Sequence, residues 1–249
     1  MQSVLYVSHG SRDPEAIAEA RAFLTTVMQQ IDVPLQEICF LEISSPSIEQ
    51  GIETLAEQGA TKIAVVPVLL LTGGHHLQDI PDAIKRAQKK HPDIRFTYGK
   101  PLGMQKRIVK VLAERIQEVE PKRYKDPKIL LVGRGSRNPD TKEAIERTAK
   151  VLQKEVNIPV TTCYLAVQKP SFDDALQSLS GKSNIIIVPY LWFTGLLMQY
   201  IQKRSKELSG NHAEIIVCRQ LGSHAYMVEA LKERVYEAIG KREAVLQWV

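Results

Sequence analysis

The sequence repeats itself, and this repeat limits the possible folds more than any other feature. The segment VLYVSHGSRDPEAI near the start resembles ILLVGRGSRNPDTKEAI in the second half, and PLGMQKRIVKVLAERI resembles QLGSHAYMVEALKERV. Two intermediate segments match in the same order, and the spacing between partners shortens slowly, as loop deletions in a duplicated domain would produce. We therefore predict two copies of one domain, 1–122 and 123–249, joined by the charged, proline-bounded segment 120–127.

Each copy alternates apolar segments of strand length with amphipathic helical patterns. The first copy is predicted to contain strands at 4–8, 35–43, 63–71 and 95–98, and helices at 13–31, 47–58, 76–90 and 103–119. Strands that alternate with helices are typical of a parallel sheet covered by helices. The predicted fold is therefore α/β, with two tandem flavodoxin-like domains, each a parallel sheet of about four strands flanked by helices.

Composition limits the class of partner. Lys and Arg together number 33 against 28 Asp and Glu, so anionic partners are favoured over cationic ones. No basic run is interleaved with aromatic residues, and nucleic-acid binding is not expected. The most apolar stretch, 185–198, is interrupted by proline and glycine and is too short to cross a bilayer. Three isolated cysteines and an opening without a signal-peptide pattern predict a reducing, cytoplasmic location and no cysteine-held metal.

Three ionisable residues lie at the ends of the first three predicted strands of the first copy, namely His9, Glu42 and His75. In a flavodoxin-like order the first strand lies between the second and the third, with strands ~4.8 Å apart, so these side chains can converge at one edge. Two imidazoles and a carboxylate there predict a compact metal site. The second copy has replaced all three, by Arg134, Ala166 and Leu197.

Each of these residues also has a simpler interpretation. A histidine after a strand is often only hydrogen-bonded, and Glu42 is equally compatible with a solvated strand end. A histidine-phosphatase motif would place an arginine directly before His9, where this chain has Ser8. His76 competes with His75, because only one of two adjacent side chains in an extended chain points into the site.

Basic residues mark the corresponding strand ends and following helices of the second copy. A guanidinium cannot hold a metal ion but binds carboxylates well, so Arg134 is predicted to grip the rim of an anionic ligand. Solvated surface charge is the simpler interpretation for all of these cations. The predicted carboxylate-binding set is Arg134, Arg137, Lys169, Lys203 and Arg204.

Three motifs resemble the class II chelatases of the cobaltochelatase and sirohydrochlorin ferrochelatase group, and the resemblance extends over essentially the whole chain. They are Ser8-His9-Gly10-Ser11-Arg12, Phe40-Leu41-Glu42, and Pro67 through His75 followed by Asp79-Ile80-Pro81. The resemblance implies that His9 and His75 bind the metal and accept protons from pyrrole nitrogens. It assigns the acidic role to Glu42 and makes His76 a departure from the motif or a helper.

The implied activity is insertion of Fe²⁺, or Co²⁺, into sirohydrochlorin, an anionic tetrapyrrole, to form siroheme. The metal is then a substrate, and no permanently bound cofactor is expected. The resemblance also implies that the macrocycle lies in a cleft between the two copies, and a precorrin-2 dehydrogenase is a candidate donor of it. A metal or tetrapyrrole carrier and a histidine phosphotransfer enzyme remain alternatives. The predicted substrate contacts are Arg12, Thr72, Gly73, Gly74 and Arg134.

Overall fold

The structure of the protein is a computed structural model. This structure describes residues 1–181, 184–209 and 214–240, without the side chains of His75 and His76. The strands are β1 (Gln2–Ser8), β2 (Leu35–Phe40), β3 (Lys62–Pro67), β4 (Arg95–Tyr98), β5 (Lys128–Gly133), β6 (Val160–Tyr164), β7 (Ile185–Tyr190) and β8 (Ile215–Val217). The α-helices are α1 (Pro14–Met28), α2 (Ile48–Glu57), α3 (Ile80–Lys90), α4 (Lys106–Gln117), α5 (Pro139–Val156), α6 (Phe172–Leu179), α7 (Leu196–Leu208) and α8 (Ala225–Ala238).

The strands form two parallel sheets with the same order. The first sheet runs β2-β1-β3-β4 and the second β6-β5-β7-β8. In the first, Tyr6 of β1 is level with Ile38 of β2 and Val66 of β3. The predicted α/β fold, with two four-stranded parallel sheets flanked by helices, is confirmed. Because the strands are parallel, the carboxyl ends of β1, β2 and β3 meet at one edge of the first sheet.

Local sequence explains where the helices begin. Asp13 caps α1 by accepting a hydrogen bond from the Glu15 amide, and Pro14 occupies its first turn. Ser47 and Gln50 form a reciprocal capping box at the start of α2. The helices then cover sheets whose central strands are buried on both faces. Of the described helices, none combines the length and the hydropathy that crossing a membrane requires.

Two strands of the first repeat are shorter than predicted. β2 ends at Phe40 instead of residue 43, because the chain turns sharply there and the Ser44 amide donates to the Glu42 carbonyl, 2.6 Å. β3 ends at Pro67 instead of residue 71, because the chain leaves the ladder, and the Leu69 carbonyl accepts a hydrogen bond from the Leu102 amide. The predicted start of the following helix is also wrong, since a π-helical turn, His75–Asp79, precedes α3.

The compact units of the structure are not the two sequence repeats. One unit comprises residues 1–105 with 228–240, and the other comprises residues 106–227. The last helix of the first repeat, α4, therefore belongs to the second unit, where it packs against α5 and β7. The last helix of the second repeat, α8, belongs from Val228 onward to the first unit.

We call α4 and α8 the exchanged helices, because each belongs to the compact unit that holds the sheet of the other repeat. Each carries a buried arginine at the equivalent position. In the first unit, Arg234 of α8 donates to the Leu102 carbonyl, 3.0 Å, and pairs with Glu237, 2.5 Å. In the second unit, Arg115 of α4 donates to the Leu221 carbonyl, 2.9 Å, and pairs with Glu118, 2.6 Å. Charge-assisted hydrogen bonds of this kind satisfy a turn carbonyl that a buried loop cannot expose to water.

Candidate active site

The loop after β1 and the loop after β2 are joined through their backbones. The Glu42 amide donates to the His9 carbonyl, 3.2 Å, and the Leu41 amide donates to the Ser8 carbonyl, 2.9 Å. His9 is half-buried, with Nε2 shielded from solvent and Nδ1 3.4 Å from the Gly10 carbonyl oxygen, whereas Glu42 is exposed. The structure thus brings His9 and Glu42 to neighbouring backbone positions at one sheet edge.

Gly10 makes this approach possible. Its φ is +90°, and a Cβ atom built there would lie 2.0 Å from the Glu42 carbonyl oxygen. The second repeat has the same arrangement, in which Gly135 has φ +86° and a Cβ would lie 1.9 Å from the Ala166 carbonyl oxygen. Sequence reasoning named Gly10 as part of a motif but gave neither glycine this structural role. The available signal was their alignment in the two repeats, directly after His9 and Arg134.

His75 opens the π-helical turn between β3 and α3. The Leu77 amide within this turn donates to the Gly73 carbonyl, 3.0 Å, and so ties the turn to the preceding glycine loop. Such turns occur frequently at functional sites. The side chains of His75 and His76 lie outside the described part of the chain. Among the side chains that are described, no three His, Cys, Asp or Glu residues lie close enough together to hold a metal ion.

A pocket of about 290 Å³ opens beside Glu42 in the first unit. Its charged wall consists of Glu42, Glu49, Asp79, Asp82 and Arg86. Arg86 pairs with Glu49 at 2.6 Å, and this hydrogen bond lowers the pKa of the Glu49 carboxyl. Carboxylates outnumber the single guanidinium, so the pocket favours a divalent cation over an anion.

The predicted substrate contacts of the first repeat lie around the same edge. Arg12 and Gly74 are exposed, and Thr72 and Gly73 are half-buried. Neither glycine has a positive φ, and a Cβ at Gly73 or Gly74 would meet no atom within 4 Å. The backbone therefore does not require glycine at these two positions, unlike at Gly10.

The predicted cations of the second repeat divide into two groups. Lys169 pairs with Asp174, 3.2 Å, and Arg204 pairs with Asp173, 2.7 Å. Lys203 lies near Glu207, 3.9 Å. Arg134 and Arg137 are exposed after β5 and pair with no carboxylate of the described residues. Of the predicted set, these two are the cations most available to a carboxylate-bearing ligand.

Comparisons with known proteins agree with this architecture. The model of the CbiX family matches residues 3–119 and 128–238, one repeat each. A sirohydrochlorin ferrochelatase of Priestia megaterium is 42% identical over 238 residues, which cover 94% of this chain and 90% of that protein. The solved structure of SirB from Bacillus subtilis with Fe³⁺ is 39% identical, with a TM-score of 0.86 and 95% of each chain covered. SirB from Bacillus subtilis subspecies spizizenii in complex with cobalt is 36% identical, with a TM-score of 0.83 and 96% of each chain covered. This chain belongs to the CbiX family.

Proposed function

We propose that this protein is a chelatase that inserts Fe²⁺, or Co²⁺, into sirohydrochlorin. The observation that carries the proposal is the pair of backbone hydrogen bonds that joins the His9 loop to the Glu42 loop. The π-helical turn that starts at His75 ends at Asp79, which lines the same pocket as Glu42. This arrangement occurs in a chain that is 42% identical, over 94% of its length, to a sirohydrochlorin ferrochelatase. In the reaction the divalent metal replaces two pyrrole N–H protons, and the protein must accept both protons.

The proposed ligands suit a metal that has to be released into a macrocycle. Neutral imidazoles bind Fe²⁺ and Co²⁺ less tightly than thiolates would, so His9 and His75 are assigned to hold the ion and to accept the pyrrole protons. Glu42, exposed beside His9, is assigned as a third ligand and proton acceptor. The acidic pocket next to Glu42 supports this assignment, because it raises the local concentration of divalent cations.

The proposed substrate contacts supply the complementary charge. Sirohydrochlorin carries carboxylates around its rim, and Arg134 and Arg137 are exposed guanidinium groups that bind carboxylates in a bidentate manner. Arg12, Thr72, Gly73 and Gly74 are assigned to the same substrate. The proposal includes delivery of sirohydrochlorin by a precorrin-2 dehydrogenase.

We also propose a reducing compartment, the cytoplasm, for this protein. Cys39, Cys163 and Cys218 are free and buried, and burial raises the pKa of each thiol. Such thiols are ordinary core residues of a protein that is not exposed to oxidants.

Metal insertion can be followed by the absorbance change of sirohydrochlorin when Fe²⁺ or Co²⁺ is added without oxygen. Ala at His9 or at His75 is expected to abolish insertion, because each removes a ligand and a base. His76→Ala is the matched control and should keep most of the activity. Glu42→Gln preserves shape and is expected to slow turnover without lowering the melting temperature. A wild-type protein that binds both substrates without turnover would instead be a carrier, and an inactive His76 variant beside an active His75 variant would reverse the ligand assignment.

A further inference from the structure

The second to fourth residues after β2 and after β6 form the same unusual turn. The Ser44 amide donates to the Glu42 carbonyl, 2.6 Å, and the Gln168 amide donates to the Ala166 carbonyl, also 2.6 Å. Each is a γ-turn, with Ile43 or Val167 at its centre. Their φ angles are 66° and 64°, so both turns have the positive-φ form, which is rare and strained.

The central residue is chemically unfavourable for such a turn. Glycine adopts a positive φ without steric cost and asparagine does so readily, whereas a β-branched side chain is an outlier there. Yet both repeats place a β-branched aliphatic residue at this position. The other described non-glycine residues with a positive φ are all polar: Glu120, Asp126 and Asn157.

The side chains do not compensate for the strain by packing into the core. Ile43 is 64% exposed and Val167 is 67% exposed. The turn is held instead by its neighbours, since Gly10 contacts the Glu42 carbonyl and Ser44 Oγ bonds both the amide and the carbonyl of Ser11, 3.2 Å each. Strained residues that the surrounding structure holds in place cluster at ligand-binding and active sites.

Comparison of the repeats separates this turn from the metal chemistry. The second repeat has Arg134 and Ala166 in place of His9 and Glu42, so it lacks those ligands. It nevertheless keeps the turn, the supporting Gly135 and an exposed aliphatic side chain. In the second repeat the turn therefore cannot serve to orient a metal ligand at position 166, so the shared feature has a use besides that orientation.

We infer that Ile43 and Val167 are substrate-binding residues, each of which contacts an apolar face of a tetrapyrrole bound at the carboxyl edge of its own sheet. The inference rests on the proposed function and extends it to two residues whose aliphatic side chains cannot bind a metal. A tetrapyrrole has broad apolar faces inside a carboxylate rim, and contact with a face removes an aliphatic side chain from water. Each strained turn fixes its side chain at the carboxyl edge of its own sheet, beside Glu42 in one repeat and beside Arg134's loop in the other.

Binding of metal-free sirohydrochlorin to the full-length protein tests this directly, because it does not require turnover. Ile43→Asn and Val167→Asn keep a residue that tolerates a positive φ and remove the apolar surface. Each is expected to raise the Kd by about tenfold, with a melting temperature equal to or above that of wild type. Co²⁺ binding without tetrapyrrole should not change. Ile43→Val keeps an apolar side chain and should have a Kd close to that of wild type. The control Asp126→Asn, at another positive-φ position, should leave the Kd unchanged.

The same experiment separates this inference from the proposed function. Asn variants that bind sirohydrochlorin as tightly as wild type would overturn the contact even if wild type inserts metal. If the two Asn variants and Ile43→Gly all melt at lower temperatures than wild type, the side chains serve packing, and the proposed contact with the tetrapyrrole is also overturned. Wild type that binds sirohydrochlorin but never inserts metal would overturn the proposed function, and the comparison of Kd values would still decide the contact.

Discussion

Gly10 is the residue on which the geometry of the candidate site depends most directly. Gly10→Ala would place a Cβ 2.0 Å from the Glu42 carbonyl oxygen, at a φ of +90° that alanine disfavours. The Glu42 turn has to move, so we expect loss of most metal insertion and destabilisation by about 2 kcal/mol or more. Initial rates of insertion and urea unfolding of the same preparation measure both effects.

Gly59 offers a matched control for this change. Its φ is +85°, and a Cβ there would meet no atom within 4 Å. Gly59→Ala therefore carries only the backbone cost, about 1 kcal/mol, and should leave insertion unchanged. If Gly10→Ala is no less stable than Gly59→Ala and remains active, the close approach to Glu42 is not required.

At the residue scale, sequence reasoning located the ionisable groups but not their support. His9 and Glu42 stand out because each is a polar residue directly after an apolar strand. Gly10 and Ile43 could not be identified in the same way, because their roles depend on φ angles and on a contact between two loops. Only their alignment with Gly135 and Val167 carried a signal, and such an alignment does not specify a backbone conformation.

At the scale of the elements, the exchanged helices depend on their buried arginines. Arg234→Met keeps much of the side-chain volume but leaves the Leu102 carbonyl and the 10%-exposed Glu237 side chain without this guanidinium. Removing one partner of a buried pair typically costs about 3 kcal/mol or more. Urea unfolding should therefore show a loss of this size. Arg115→Met should cost less in the second unit, because Glu118 is 36% exposed and keeps its hydrogen bonds to Arg219.

The control for the arginine variants is a solvent-exposed pair. Arg86 and Glu49 are 63% and 53% exposed, and pairs of this kind contribute about 0–1 kcal/mol. Arg86→Met should thus leave the free energy of unfolding almost unchanged. A loss below 1 kcal/mol for Arg234→Met would mean that the helix is held by its apolar face alone.

The order and type of the first-repeat elements were predictable, and their ends were less so. Apolar runs predicted the existence and the approximate starts of β2 and β3 correctly. Both runs, however, continue past the last backbone hydrogen bond of the strand ladder. Apolar side chains beyond Pro67 pack in a loop as well as in a strand, so periodicity alone cannot find the end. The π-helical turn His75–Asp79 has no pattern that distinguishes it from a first α-helical turn.

At the scale of the whole molecule, the duplication was predictable and the helix exchange was not. Repeated segments identify α4 and α8 as equivalent helices, but an amphipathic helix presents an apolar face that suits either of two similar sheets. Which sheet it covers depends on the path of the connecting loop. The compact units therefore change over at residues 105 and 227, whereas the sequence predicted a division near residue 122.

Separation of the two repeats tests this exchange. Fragment 1–122 lacks α8. In the full chain the α8 side chains of Leu231 and Val235 are completely buried, and the Ala238 carbonyl accepts a hydrogen bond from Thr97 Oγ1, 2.8 Å. Alone it exposes apolar surface, so we expect aggregation, or a homodimer in which each copy lends its own α4 to the other. Co-expression with fragment 123–249 should instead give a folded 1:1 complex with restored insertion activity. Sedimentation and circular dichroism measure these states, and a stable, cooperatively unfolding monomer of fragment 1–122 would show that the first repeat folds without an exchanged helix.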